Sequence, residues 1–194
     1  MQIDRRTQII DTSVRLFLQN GYSATGLSKI IEESGAPKGS LYYFFPNGKE
    51  EIALACIDKI NKDVSAAIEH ELSSAPFEEG VVNFIRNTGK FFESCKFQRL
   101  SPACFWISVE TSKISSPLQQ ACMNVYDTWR AIYARHLTMI DIPSEKAKRI
   151  ADIIVTLIEG SLVQVIVSQS ATPLENIVLY IKMILSYEIG NRAK

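Results

Sequence analysis

At 194 residues, 46% of them hydrophobic and 22% charged, the chain falls in the ordinary globular class and can bury a sizeable core, as a small domain fused to a larger one. Twenty-one basic residues balance twenty-one acidic ones, so net charge gives no pull toward nucleic acid, and any such contact must come from a local patch. The four cysteines (Cys56, Cys95, Cys104, Cys122) lack CxxC spacing and His70 and His136 are far apart in sequence, which argues against a metal site or metal cofactor.

The opening MQIDRRTQII turns charged before an apolar run develops, so no secretory leader is expected. The later apolar stretches read as too interrupted for a membrane span, and the expected setting is the reducing cytoplasm, with free thiols and no membrane partner. Through Lys49 the chain carries six bases (Arg5, Arg6, Arg15, Lys29, Lys38, Lys49) against four acids, a weak local excess.

Helical spacing recurs from end to end and strand signals are almost absent. The first helix is expected from about Arg5 to Asn20, with Ile10, Val14, Phe17 and Leu18 inward and Asn20-Gly21 as the stop. Thr25 is placed to cap a short second helix that ends at Ser34-Gly35. Pro37 suits the opening of a third, Lys38 to Phe45, since its missing amide proton would be unpaired there. After Pro46-Asn47-Gly48 a long helix runs from about Lys49 to Ser74.

Beyond Pro76 the helices lengthen. Phe77 to Cys95, Pro102 to Thr111 and Pro117 to about Met139 come first. Ser144 then caps a helix with the stripe Ile150, Ile153, Ile154, Leu157, Ser161, Leu162 and Val165. Thr172-Pro173 opens the last, with Leu174, Ile177, Val178, Ile181, Ile184 and Leu185 apolar. The total is about nine helices in an all-α fold.

Two short helices joined by a tight turn and flanked by longer ones form the arrangement that inserts a helix into the DNA major groove. The turn Ser34-Gly35-Ala36 contains the glycine that a positive backbone dihedral needs. Lys38, Gly39 and Ser40 are cationic or short enough to approach phosphates closely, and the hydroxyls of Tyr42 and Tyr43 can donate to them. Lys49 opens the fourth helix, and amides at the starts of the second and fourth helices can also hold phosphate. Leu41 and Phe45 read as core.

The run GYSATGLSKIIEESGAPKGSLYYFFPNGKEEIALACI resembles the N-terminal domain of the TetR family, over about Arg5 to Ile57. Phe44 stands where histidine is frequent in that family, and Gly26 where a second threonine is common. Ala-Pro-Lys-Gly-Ser-Leu-Tyr with Phe-Pro-Asn-Gly-Lys-Glu is similar to the LmrA/YxaF-like subgroup. Ser101-Pro102-Ala103, Val109-Glu110, Ser116-Pro117-Leu118, Val125-Tyr126 and Trp129-Arg130 resemble its C-terminal domain, with Leu100-Ser101 where Gly-Cys is usual.

The resemblance implies a helix-turn-helix DNA-binding domain over residues 1–48 and an effector-binding, dimerising domain over 49–194. It implies a dimeric repressor released from a palindromic double-stranded operator by a small aromatic or amphipathic effector, with no enzymatic activity. The DNA contacts would fall among Thr25, Ser28, Pro37, Lys38, Gly39, Ser40, Tyr42, Tyr43 and Lys49. Effector candidates are Phe92, Trp106, Glu110, Tyr126, Trp129, Tyr133 and Gln164: aromatics on the helices where related repressors hold their ligands, and polar residues inside apolar runs. The last two long helices carry apolar residues over more than one face, and the family pairs them with their twins in a four-helix interface. Leu157, Gly160, Ser161, Ile177, Ile181 and Ile184 are the candidates there. The competing readings are an enzyme, for which no nucleophile and base set, phosphate loop or metal spacing is evident, and a helical interaction module without DNA binding.

Overall fold

The computed structural model describes residues 4–96, 110 and 115–190. Among these all regular structure is helical, as the spacing predicts. The helices are α1 (Arg5–Asn20), α2 (Leu27–Ser34), α3 (Lys38–Phe44), α4 (Lys49–Ser74), α5 (Phe77–Ser94), α6 (Ser116–Met139), α7 (Ser144–Ser168) and α8 (Thr172–Gly190). The helix expected from Pro102 to Thr111 lies outside the described residues, apart from Glu110. The chain divides into two compact units, Met1–Lys62 with Arg99–Val125 and Asp63–Gln98 with Tyr126–Lys194.

In the first unit α1 packs against α2 and α3. Its inward residues are Ile9, Ile10, Leu16 and Phe17; Val14 and Leu18, expected inside, are half-buried, so the face is turned toward Ile9 and Leu16. Ile30, Leu41, Phe45, Ile52 and Ala53 complete this core at 2% exposure or less. Each fully buried Ile, Leu or Phe contributes roughly 1.5–3 kcal/mol relative to exposure, which is what lets two helices of eight and seven residues hold their shape. Cys56 is buried too, and burial pushes its thiol far above the ordinary range, so it behaves as a small apolar residue.

In the second unit α5 and α7 each pack against α8. Gly80 sits where α5 meets the last turns of α4: a Cβ there would lie 2.7 Å from the Glu71 carbonyl oxygen and 3.0 Å from Leu72 Cα. Glu69 on α4 accepts a hydrogen bond from Arg135 and pairs with His136 Nε2 at 2.9 Å, both on α6. Burial works against its charge, but the His136 bond and the Arg135 guanidinium hold its carboxyl below the usual range.

Helix α7 departs from two expectations. Pro143 rather than Ser144 is its N-cap. It is also long and apolar enough to cross a membrane by length and composition, with a mean hydropathy of 2.0 over its best window. Its packing is that of a core helix: Ile150, Ile154, Ile158, Leu162 and Val165 are buried within the unit.

Candidate nucleic-acid interface and effector region

Helix α2 ends at Gly35, whose φ of +64° lies in the left-handed region and whose amide donates to the Glu32 carbonyl at 3.3 Å. A side chain would strain that backbone, so the glycine makes the tight corner possible. The Ala36 amide donates to Ser34 Oγ, and the Pro37 carbonyl accepts from the amides of Ser40 and Leu41 at 2.8 and 3.2 Å. Leu41 plugs α3 into the core with no exposure at all. The remaining face of α3 turns outward.

On that face Lys38 and Gly39 are exposed, Tyr42 is 44% exposed and Tyr43 80%. Pro37 and Ser28 are exposed as well, and half-buried Ser40 accepts a hydrogen bond from Arg5 Nη1 at 3.3 Å. The latter contact brings the N-terminal arginine to α3, a link that sequence spacing does not carry, although the basic count had included Arg5. Arg15 and Lys29 are engaged elsewhere, both paired with Glu33.

Two more of the expected DNA contacts lie off the α3 face, on the turn before α2 and at the start of α4. Thr25 is fully buried and donates its hydroxyl to the Gly21 carbonyl at 2.8 Å and the Leu16 carbonyl at 3.3 Å, so its side chain locks the turn before α2 and presents nothing outward. It does not cap α2 either; that position belongs to Gly26, with no side-chain bond. Lys49 is half-buried: its ammonium lies 4.2 Å from the Tyr22 ring centroid and donates to the Ser23 carbonyl at 3.4 Å. Burial lowers its pKa while the Glu110 charge works the other way.

Glu110, expected to orient an effector, lies in the first unit, where its Oε2 accepts from the Ser23 amide at 2.7 Å. Gln164 is exposed on α7, and Trp106 lies outside the described residues. Phe92 is buried on α5. Tyr126, Trp129 and Tyr133 recur at three- and four-residue intervals on α6 and so share one face of it. Tyr126 and Trp129 meet edge to face at 5.7 Å, and the Tyr126 hydroxyl donates to Glu159 Oε2 at 3.2 Å.

Two buried polar atoms on that face, Trp129 Nε1 and Tyr133 Oη, have no hydrogen-bond partner among the described residues. Burial pushes the Tyr133 phenol well above its ordinary pKa and raises the Glu159 carboxyl to about 7, the latter against the Tyr126 bond. Sequence reasoning missed Glu159, although it stands inside the apolar run of α7 just as Gln164 does. A groove of about 580 Å³ between α5 and α8, lined by Arg86, Gly89, Lys90, Ala171 and Leu174 among others, holds none of the effector candidates.

Three of the expected interface residues point inward: Ser161, Ile177 and Ile181 are at most 5% exposed because they form the contact of α7 and α8 with their own unit. Gly160 is exposed, and Leu157 and Ile184 are half-buried. The large apolar side chains that do face outward are Ile153 and Val167 on α7 and Leu179, Tyr180, Met183 and Tyr187 on α8, from 38% to 79% exposed.

Comparison with known proteins agrees with this architecture. The family model described as bacterial regulatory proteins, tetR family, matches residues 9–56, and that of the LmrA/YxaF-like transcriptional regulator C-terminal domain matches residues 78–178. The HTH-type transcriptional regulator YxaF of Bacillus subtilis is 40% identical over 173 residues, covering 88% of this chain and 90% of its own. The regulator LmrA of the same organism is 34% identical over 176 residues, 90% of this chain and 93% of its own. The HTH-type transcriptional repressor NemR of Escherichia coli is 24% identical, with 94% of each chain covered. The crystal structure of its reduced form superposes with a TM-score of 0.81, at 23% identity over 93% of this chain and 97% of that one. A corner of short helices with an outward basic and aromatic face, and both family models in their places, make the chain a member of the TetR family of DNA-binding transcriptional regulators, with an LmrA/YxaF-like C-terminal domain.

Proposed function

We propose that the chain acts in the cytoplasm as a homodimeric repressor that releases a pseudo-palindromic operator when a small aromatic or amphipathic effector binds. Residues 1–48 are the reading head and 49–194 carry dimerisation and sensing. The observation that carries this reading is the outward face of α3, where Lys38 and the 80% exposed Tyr43 stand beside Ser40 and Arg5 over a fully buried Leu41. A short helix that spends one face on the core and offers cations and hydroxyls on the other fits the major groove, with phosphate contacts fixing its register.

Dimerisation is supported by the outward Val167, Leu179, Tyr180, Met183 and Tyr187, large apolar side chains left exposed within one protomer. NemR is by name a repressor, which supports that sign of regulation. The effector reading draws on Tyr126, Trp129, Tyr133 and Glu159: aromatic side chains with a few polar groups, two of them buried without partners among the described residues. The relatives are regulators rather than enzymes, and all of these residues serve binding.

Duplexes enriched by the protein from a randomised pool supply the test. Lys38→Ala and Tyr43→Ala should each weaken binding about tenfold with the melting temperature unchanged, and Lys38→Ala should lower the salt slope by about one. Unchanged affinity in both variants would remove the recognition-helix assignment.

A further inference from the structure

The turn between α1 and α2 has the makings of an anion site. Ser23 presents its amide outward and Lys49 brings its ammonium to the Ser23 carbonyl at 3.4 Å. A backbone N–H beside a cation is the equipment that holds a phosphate oxygen. Here the amide is already engaged by a carboxylate from 87 residues further along the chain, Glu110, whose Oε2 accepts from it at 2.7 Å and whose charge acts on the neighbouring Lys49. Room for it comes from Gly21: a Cβ at that position would stand 2.3 Å from Glu110 Oε1. The φ of +83° at Gly21 already disfavours a side chain, so one glycine both caps α1 and admits the carboxylate.

We propose that Glu110 is a built-in surrogate for an operator phosphate, holding the Ser23 amide and the Lys49 charge in the DNA-released state and yielding them when DNA binds. The inference rests on the reading of Lys49 as a phosphate contact. A carboxylate and a phosphate are like charges competing for the same donors, so DNA must displace Glu110 or bind against its repulsion. Glu110 lies six residues before α6, the helix that continues to Tyr126, Trp129 and Tyr133. The surrogate is thereby covalently close to the proposed sensing residues. A plain structural tether would behave in the opposite way, since cutting it would loosen the head and weaken DNA binding.

The test uses the full chain and duplexes selected from a randomised pool, with Glu110→Gln, Lys49→Ala and the double variant measured across a salt series. Glu110→Gln keeps an oxygen for the Ser23 amide and removes the charge. It should tighten DNA binding on the order of tenfold at low salt and steepen the salt slope. Lys49→Ala should weaken binding, and on that background Glu110→Gln should gain much less. If Lys49→Ala weakens binding while Glu110→Gln leaves it unchanged or weaker, the surrogate is overturned and the DNA reading stands. If Lys49→Ala has no effect, the Lys49 assignment itself falls and the inference with it. Glu110→Ala, followed by exchange protection of the Ser23 amide, checks the contact directly; equal protection in wild type and variant would also overturn it.

Discussion

The reading head and the α6–α8 region settle their polar groups in opposite ways. In the head the buried hydroxyls of Ser13, Thr25 and Ser34 are bonded to backbone a few residues away, and Ile9, Leu16, Ile30, Leu41 and Phe45 form one small core. In the α6–α8 region Trp129 Nε1 and Tyr133 Oη are buried without partners among the described residues, Glu159 is half-buried against the Tyr126 hydroxyl, and five large apolar side chains on α7 and α8 are more than half exposed. Burying an unpaired polar group costs about 1–3 kcal/mol, and a fold keeps such groups where something else is meant to meet them. One region satisfies its buried hydroxyls within its own chain. The other leaves apolar side chains outward and, among the described residues, buried polar atoms without partners, which the proposed dimerisation and effector binding would use.

The largest expected break in that contrast is at the outer face of α8. Leu179→Lys combined with Met183→Lys should convert the proposed dimer to monomers, at a cost on the order of 4 kcal/mol for charges forced into an apolar contact. Sedimentation equilibrium reads it, and the melting of each folded protomer should change little because both side chains are at least 63% exposed. A dimer that survives would move the interface elsewhere.

Next comes Glu159→Gln. The folded carboxyl has a pKa of about 7 against an ordinary value near 4.5, so the folded state binds the proton more tightly than the unfolded chain. Stability therefore falls as pH rises from about 4.5 through 7, by about 3 kcal/mol in all. The glutamine variant should lose this slope and be the more stable protein at pH 8 in urea titrations. A wild-type profile flat across that window would mean that Glu159 stays ionised.

The smallest effects give the sharpest comparison, since the same deletion is made in both regions. Thr25→Val removes a hydroxyl that satisfies the Gly21 carbonyl and should cost about 1 kcal/mol. Tyr133→Phe removes a hydroxyl that has no partner among the described residues and should be neutral or stabilising. Equal losses at the two sites would erase the distinction.

Most of this was open to sequence reading where local periodicity decides. The bounds of α1, α4 and α6 fall within a residue or two of expectation, and the corner glycine, Leu41 and Phe45 behave as their residue types require. Periodicity fails where a helix carries two apolar stripes, because spacing gives the stripes but not which one turns inward. On α8 the expectation falls on Ile177 and Ile181, which are buried, and passes over Leu179 and Met183, which are exposed. It fails again for Glu110, whose partner Ser23 is remote in sequence, and for Thr25, whose hydroxyl turns back toward α1 instead of forward to α2. Glu159 was legible as a lone acid in an apolar run; only its burial beside Tyr126 distinguishes it from a solvated one.

The close approach of α5 to α4 at Gly80 has a use in genetics. With 2.7 Å between a would-be Cβ and the Glu71 backbone oxygen, even alanine must pry the two helices apart, and no rotamer relieves a clash with main chain. Gly80→Ala is thereby a candidate conditional allele: a regulator whose second unit gives way on modest warming while α1 to α3 keep their fold. Shifting a culture by a few degrees would then switch off regulation without an inducer, and the genes that respond would report the regulon.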